Sequence, residues 1–185
     1  MKIILWLVLS ISSCFCSAET IFKIPEPNDS YGFVAKKAAA AGLSDVKIDF
    51  KQTFDVFSKG KKTGTLIQGK GWLRDVHPVC FIGWETDGHP DAFFMQTMGA
   101  GDWETVDCNQ VESVGLLSHP DDRNIKIAVI YKVDARGQHS QDYVVLGLKN
   151  SEEVFYDEHT TEIFQNAYLK DIVSMRKKYD KIKSE

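Results

Sequence analysis

Motifs that mark the common enzyme classes are missing from this chain of 185 residues. It contains no Gly-x-Ser-x-Gly nucleophile elbow, no His-Glu-x-x-His metal pair, no phosphate-binding loop and no dinucleotide-binding glycine fingerprint. A small enzyme usually shows one compact constellation of catalytic residues, so their absence favours a binding role over catalysis. The sequence therefore predicts no catalytic residue and no cofactor.

An excess of positive charge is missing too. The chain has 22 lysine and arginine residues against 26 aspartate and glutamate residues, which gives a formal net charge of -4. Nucleic acids require basic grooves, so no nucleic-acid partner is expected. A mildly acidic balance is typical of a soluble protein, and it also suits a basic protein partner.

Long hydrophobic runs are absent as well. The apolar stretch Ile3–Leu9 is far shorter than the roughly 20 residues of a transmembrane helix, so no integral membrane span is expected. It follows Lys2 and precedes small residues up to Ala18, which is the order of a signal peptide. We therefore expect residues 1–18 to be cleaved on export, which places the mature chain in the periplasm of a bacterium.

Cysteine is scarce, with four in the whole chain. Cys14 lies within the expected signal peptide and leaves a second interpretation open, in which this residue is lipidated instead of removed by cleavage after Ala18. Export leaves Cys80 and Cys108 in an oxidising compartment where thiols pair, so we expect a disulfide between them. A Cys80 nucleophile assisted by His77 is disfavoured, because three residues along a strand place the two side chains on opposite faces.

The mature chain divides into a lead-in and one domain. Residues 19–30 contain Pro25 and Pro27, and this composition resists both a helix and a central strand, so we expect an extended lead-in. Residues 31–185 show neither an internal repeat nor a low-complexity linker. They predict a single α+β domain, mainly an antiparallel β-sheet with a short N-terminal helix and a longer C-terminal helix packed on it.

Local patterns locate the elements of this domain. The alanine-rich segment 31–43 predicts a helix that Asp29 or Ser30 can cap and that Gly42 ends. Alternating or dense apolar residues predict strands at 48–56, 65–73, 79–85, 92–97, 105–117, 125–133 and 143–148. The last two are almost continuously apolar and are predicted to pair as an antiparallel hairpin inside the sheet. Gly69 indicates a bulge or a close backbone approach.

The tail carries one apolar stripe with charged residues on either side of it. Steps of three and four residues join its members along a helix: Phe164, Tyr168, Ile172, Met175, Tyr179 and Ile182. Such a stripe is more often core than a partner-binding face. The pattern therefore predicts one helix that packs against the sheet.

Two loops, 83–88 and 99–104, combine glycine, tryptophan and acidic residues. Tryptophan can stack on a sugar or anchor a protein partner, and Glu85 and Glu104 would be the carboxylate pair of a glycosidase. The structural interpretation, in which glycines turn corners and acids keep the loops soluble, is favoured. The candidates for partner binding are residues of these and neighbouring loops: Trp84, Glu85, Asp87, His89, Asp91, Asp102, Trp103, Glu104, Asp121 and Asp122.

Histidines precede prolines at His77, His89 and His119, which indicates extended or turn segments. A zinc site would require the fold to gather them, because no two have the short spacing of a metal motif. Asp121 and Asp122 lack the further ligands of a calcium loop. The sequence therefore predicts no metal site.

Taken together, these features favour an exported binding protein over an enzyme. Our hypothesis is an immunity or inhibitor protein that neutralises a toxin or a cell-wall lytic enzyme through its acidic loops, where charge speeds association and sets specificity. Two alternatives stay open. One is a hydrolase of cell-envelope polymers that uses acidic loop residues, and the other is a ligand-binding or structural protein of the envelope.

Overall fold

The computed structural model describes residues 19–26, 31–86, 89–150 and 153–184, with the backbone alone at 89–92. The predicted signal peptide and the predicted capping residues Asp29 and Ser30 lie outside the described residues. Among the described helices, none has both the length and the hydropathy that crossing a bilayer requires.

Ten strands and three helices form within the described residues. The strands are β1 (Thr20–Lys23), β2 (Leu43–Ile48), β3 (Phe54–Ser58), β4 (Lys61–Leu73), β5 (His77–Thr86), β6 (His89–Gln96), β7 (Asp107–Leu116), β8 (Ile125–Ala135), β9 (Gln138–Lys149) and β10 (Glu153–Tyr156). The helices are α1 (Gly32–Ala40), α2 (Glu158–Phe164) and α3 (Ile172–Ser184), and a 3₁₀ turn spans Gly101–Trp103. The predicted α+β class with a mainly antiparallel sheet is confirmed.

The strands divide into two antiparallel sheets. The first has the order β1-β3-β4-β5-β6, and β2 pairs with β4 beyond the end of β3. The second has the order β10-β9-β8-β7. The predicted hairpin of the two most apolar strands is confirmed as β8 and β9, whose register runs without a break from Ile125↔Leu148 to Ala135↔Gln138.

The core lies between the two sheets. Leu66 and Ile82 of the first sheet belong to the same buried cluster as Ile127, Val129 and Leu146 of the second. These residues alternate along their strands with others that face outward. The outward residues are also buried, because helices cover both outer faces, and this is why β8 and β9 are apolar on both sides.

Helix α1 covers the outer face of the first sheet. Val34 and Ala38, one turn apart, are fully buried in a cluster with Ile67 and Phe81. A side chain at Gly83 would place its Cβ 2.6 Å from Val34, so the glycine permits the close approach of helix and sheet. The helix ends as expected before Gly42, whose φ of 88° few other residues adopt.

The tail forms two helices where the stripe predicted one. Helix α2 ends at Phe164, and the connector that follows holds Asn166 and Tyr168 at positive φ, 60° and 52°, which is incompatible with a right-handed helix. Helix α3 then starts afresh, with the Asp171 carboxylate accepting a hydrogen bond from the Ser174 N–H at 2.7 Å. Phe164 and Met175 are buried against the outer face of the second sheet, whereas Tyr168 is 74% exposed.

Part of the predicted lead-in belongs to the first sheet. Thr20–Lys23 pairs antiparallel with β3 as an edge strand, and the Thr20 N–H donates to the Pro120 carbonyl at 2.7 Å. Pro25, which follows, lies outside the strand. Its position agrees with the rule that proline is excluded from the paired interior of a sheet.

The predicted disulfide between Cys80 and Cys108 is confirmed, with the two Cα atoms 5.5 Å apart. Cys80 lies on β5 and Cys108 on β7, so the bond joins the first sheet to the second. Both residues are buried in the core between the sheets. This crosslink is compatible with an exported protein.

Candidate functional site: an acidic aromatic cleft

A cleft of about 580 Å³ opens at one end of the two sheets. We call it the acidic cleft, and it is lined by residues of 102–106, of 140–142 at the start of β9, of Tyr156 at the end of β10, and of α2 and its connector at 158–168. These segments are distant in sequence. The tertiary structure therefore assembles the cleft from pieces that no local pattern connects.

The 3₁₀ turn that carries Asp102 and Trp103 is fixed by its backbone. Gly99 has a φ of 94°, and any side chain there would overlap the Pro78 carbonyl at the start of β5. The Gly99 N–H donates to the Trp103 carbonyl at 3.1 Å, and the Trp103 N–H donates to the Ala100 carbonyl at 3.0 Å. As a result the turn presents an exposed Asp102 and a half-buried Trp103 to the cleft.

Three aromatic side chains line the acidic cleft. The rings of Trp103 and Tyr156 meet edge to face, with centroids 5.8 Å apart and an interplanar angle of 75°. Tyr168 stands on the connector and is 74% exposed. Large aromatic side chains held at the rim of a cleft are frequent anchors of bound ligands and partners.

Four carboxylates share this cleft, and its described lining contains no lysine, arginine or histidine. They are Asp102, Asp142, Glu158 and Glu162. Three of them act on Tyr156: burial raises the pKa of its hydroxyl, and the charges of Glu158, Asp102 and Glu162 raise it further, against a lowering by a hydrogen bond with Thr161. The cleft is therefore a region of negative potential that favours cations.

Asp142 differs from the other carboxylates in being partly withdrawn from solvent. Burial raises the pKa of this carboxyl, and a hydrogen bond from the Tyr143 N–H, 2.8 Å long, opposes the rise. Asp142 points inward because it stands opposite Tyr131 in the register of β8 and β9, on the core-facing side. The cleft thus combines one partly buried carboxyl of raised pKa with three exposed carboxyls.

No group of three or more histidine, cysteine, aspartate or glutamate residues has metal-binding geometry among the described residues. The carboxylates of the acidic cleft are therefore spread along its walls instead of converging on one point. A spread of negative charge between aromatic faces suits an extended organic cation, such as a lysine or arginine side chain.

Of the predicted partner-binding residues, the structure places Asp102 and Trp103 in the acidic cleft, with the exposed Glu104 directly after them. Trp84 is 3% exposed and packs in the core between the sheets, over Gly64. Glu85 accepts a hydrogen bond from the Val34 N–H at 3.1 Å and so caps the start of α1. Trp84 and Glu85 therefore support the fold and do not line the acidic cleft.

Glu85 and Glu104 are not brought together. Glu85 lies near the end of β5, whereas the loop that carries Glu104 is held at the start of this strand, where Gly99 touches Pro78. Seven residues of strand separate Pro78 from Glu85, a distance of about 23 Å. This separation is far greater than the carboxylate spacing of a glycosidase, about 5–9.5 Å.

Asp121 and Asp122 lie in a different cavity, of about 510 Å³, together with Lys59 and Arg123. Asp122 also forms an ion pair with Lys183 of α3 at 3.3 Å. Their charge is thus balanced locally and does not contribute to the acidic cleft.

For the remaining predicted candidates, the structure describes no side chain. Asp87 lies outside the described residues, and His89 and Asp91 belong to β6 at positions where the backbone alone is described. Of the other histidines that precede prolines, His77 has its Nδ1 atom 2.7 Å from a carboxylate oxygen of Asp107, and His119 is exposed.

Sequence reasoning missed most of the acidic cleft. Tyr156, Glu158 and Glu162 belong to no element or loop that the sequence singles out, and Tyr168 is predicted only as part of the apolar stripe of the tail. One signal was available: Glu158 and Glu162 are four residues apart, a spacing that puts two carboxylates on one face of a helix. No pattern in the sequence linked this face to the loop at 102–106.

Comparison of the chain with protein-family models, with curated proteins and with solved structures gives no match.

Proposed function

We propose that this chain is an exported binding protein whose acidic cleft receives a basic side chain of a protein partner. The observation that carries the proposal is the cleft itself, in which four carboxylates and three aromatic rings line a cavity of about 580 Å³ without a basic residue in its described lining. A partner with an exposed arginine or lysine meets complementary charge there. Such complementarity speeds association and rejects acidic competitors.

The chemistry favours arginine over lysine at this site. A guanidinium is planar, so it can stack on Trp103 or Tyr168 while it donates paired hydrogen bonds to a carboxylate such as Glu158. An ammonium offers a point charge without the matching shape. Buried arginine and aromatic contacts are also the ones that dominate the binding energy of protein interfaces.

The partner class that best fits these features is a cationic toxin or a cell-wall lytic enzyme, which makes the chain an immunity or inhibitor protein of the periplasm. Enzymes that act on anionic polymers expose basic residues, and blocking one of these residues would stop substrate binding. The disulfide between Cys80 and Cys108 supports a location outside the cytoplasm.

The test is capture of a partner by residues 19–185 immobilised on a resin, from extracellular and periplasmic fractions. We expect one basic protein to be retained, and its affinity for the variant Asp102→Asn/Glu158→Gln/Glu162→Gln to fall by about a hundredfold. A control variant, Glu112→Gln/Glu153→Gln, removes two exposed carboxylates outside the cleft lining and is expected to bind as the parent does. Equal binding by both variants would exclude the acidic cleft as the interface.

A hydrolase of cell-envelope polymers is the second candidate, because the cleft pairs a partly buried carboxyl of raised pKa with exposed carboxyls. Asp142 could serve as a proton donor and Glu158 or Glu162 as the base, between aromatic rings on which sugars stack. Incubation of the purified chain with peptidoglycan separates the two functions. Turnover that Asp142→Asn abolishes would favour the hydrolase, and retention of a partner without turnover would favour the inhibitor.

A further inference from the structure

A second cavity, of about 380 Å³, opens between the connector that follows β2 and the edge strand β7. We call it the β7 groove. Its wall is mainly apolar, with contributions from Ile48, Phe50, Cys80 and Val111. Phe50 is 61% exposed, so its ring offers apolar surface to the groove. The β7 groove shares no lining residue with the acidic cleft.

Positive charge surrounds this apolar wall. Lys47, Lys51 and Lys70 line the β7 groove, against a single carboxylate, Asp49. The Asp49 carboxylate accepts a hydrogen bond from the Lys51 N–H at 3.0 Å, and Lys47 forms an exposed ion pair with Asp45 at 2.7 Å. The groove is therefore basic where the other cleft is acidic.

Among these three lysines, Lys70 is the one most shielded from solvent. Its Nζ atom donates to the Asn109 carbonyl at 3.0 Å, and burial lowers the pKa of the ammonium, while Asp134 and Asp107 act in the opposite direction. An ammonium has three donors, and this carbonyl takes one of them. An anion that enters the groove would therefore find a partly dehydrated donor on its wall.

The β7 edge argues against an extended peptide as the occupant. Strand β7 carries two irregularities of register, between Cys108 and Gln110 and between Val111 and Ser113, and such bulges obstruct the pairing of a further strand. Two side chains also occupy its carbonyls: Lys70 of β4 bonds that of Asn109, and Gln52 of the connector after β2 bonds that of Glu112 at 3.4 Å. An occupant without a peptide backbone fits this edge better.

We propose that the β7 groove binds a fatty-acid-like carboxylate. The acyl chain would lie along Ile48, Phe50 and Val111, where burial of each methylene is favourable. The carboxylate would face Lys51 and Lys70, so that one anionic head and one apolar tail match the charge and the polarity of the wall. A cavity of this volume lies within the usual range for small-molecule sites.

Calorimetric titration of residues 19–185 with decanoate tests the proposal, with acetate and decyl maltoside as probes that lack the chain or the charge. We expect decanoate to bind, acetate not to bind, and decyl maltoside to bind at least about fivefold more weakly, since its head cannot pair with lysine. Binding of decyl maltoside as tight as that of decanoate would overturn the role of the lysines. So would tighter binding of an extended acidic peptide.

Two variants test whether decanoate binds in the β7 groove. Lys51→Glu is expected to weaken decanoate binding by at least about fivefold and Phe50→Ser by about tenfold, because one reverses the charge that faces the head and the other removes apolar area from the tail. Both side chains are exposed, so circular dichroism should show an unchanged fold. Lys36→Glu, an equivalent charge reversal on α1, is the control that should bind as the parent does. Absence of decanoate binding, or equal binding by all three variants, overturns the proposal.

Discussion

Two glycines make room for phenylalanine rings on neighbouring strands. A side chain at Gly69 would overlap the ring of Phe81, and a side chain at Gly147 would overlap the ring of Phe155. The two sites differ in how far the ring can move. Phe81 is fully buried and packs on Phe94 with centroids 5.4 Å apart, whereas Phe155 is 40% exposed.

Substitution of these glycines by alanine therefore has unequal effects on stability. We expect Gly69→Ala to lower the free energy of unfolding by about 2 kcal/mol, because the buried ring has no free space to enter. Gly147→Ala should cost under about 1 kcal/mol, since the ring of Phe155 can turn toward solvent. Urea denaturation of both variants measures the difference. Equal losses would show that the ring of Phe81 moves as freely as that of Phe155.

At Asp142 a single carboxyl couples stability to pH. Burial raises its pKa in the folded protein above the ordinary value of 3.8, so the folded state holds this proton more tightly than the unfolded chain. Its contribution to stability is therefore greatest when it is protonated, and it falls as pH rises from 3.8 through the raised value. Deprotonation leaves a partly dehydrated charge in the folded state.

Asp142→Asn should remove this pH dependence. We expect the variant to be more stable than the parent at neutral pH and the difference to shrink toward zero below the ordinary pKa of 3.8, where both side chains are neutral. Urea midpoints measured between about pH 3 and pH 7 give the result. A constant difference across this range would contradict a raised pKa.

At the scale of the elements, helix α2 depends on the residue that precedes it. The Asp157 carboxylate accepts hydrogen bonds from the Thr160 N–H at 3.1 Å and from the Thr160 hydroxyl at 2.8 Å, and it also contacts the ammonium of Lys126. Asp157 is 8% exposed. The carboxylate that caps α2 therefore also forms a nearly buried ion pair, which connects the helix to β8.

Removal of this carboxylate should be costly. We expect Asp157→Ala to destabilise the fold by about 3 kcal/mol, because it leaves Lys126 with a half-buried, unpaired charge and the helix without its cap. Asp171→Ala removes an exposed cap from α3 and serves as the comparison, with a clearly smaller loss. Thermal unfolding of the two variants decides the order. A smaller loss for Asp157→Ala than for Asp171→Ala would mean that the ion pair contributes little.

At the scale of the whole molecule, the disulfide is a covalent crosslink between the two sheets. Cys80 and Cys108 are 28 residues apart, and the segment between them includes β6 and the 3₁₀ turn that presents Trp103. The bond therefore restricts the unfolded chain over the region that joins one sheet to the other. It also fixes the loop that forms one wall of the acidic cleft.

Reduction of this bond should lower the free energy of unfolding by about 3.5 kcal/mol, the loss that chain entropy gives for a loop of this length. Urea denaturation of the oxidised and the reduced protein measures this quantity, with the thiols blocked after unfolding to confirm their state. A change well below about 1 kcal/mol would indicate that the unfolded chain is compact in this region without the bond.

Much of the fold followed from local sequence. The alternation or density of apolar residues located the strands around Ile127 and Leu146 within a few residues, and the alanine-rich run located α1. The tail was predicted less well, because the three- and four-residue steps of the stripe continue through Tyr168 although the backbone turns there. Periodicity reports which residues would share a face if the helix continued, and it carries no information on whether the helix does continue.

The sequence by itself determined most of the strands, the α+β class and the pair of cysteines that bond, because these depend on neighbours along the chain and on composition. Only the tertiary structure decided that two sheets pack face to face, that Trp84 is buried while Trp103 faces a cleft, and that Glu158 and Asp102 line the same cleft. The physical reason is that both cavities are built from segments whose separation in sequence is large. Their meeting depends on the packing of the sheets, which no local pattern encodes.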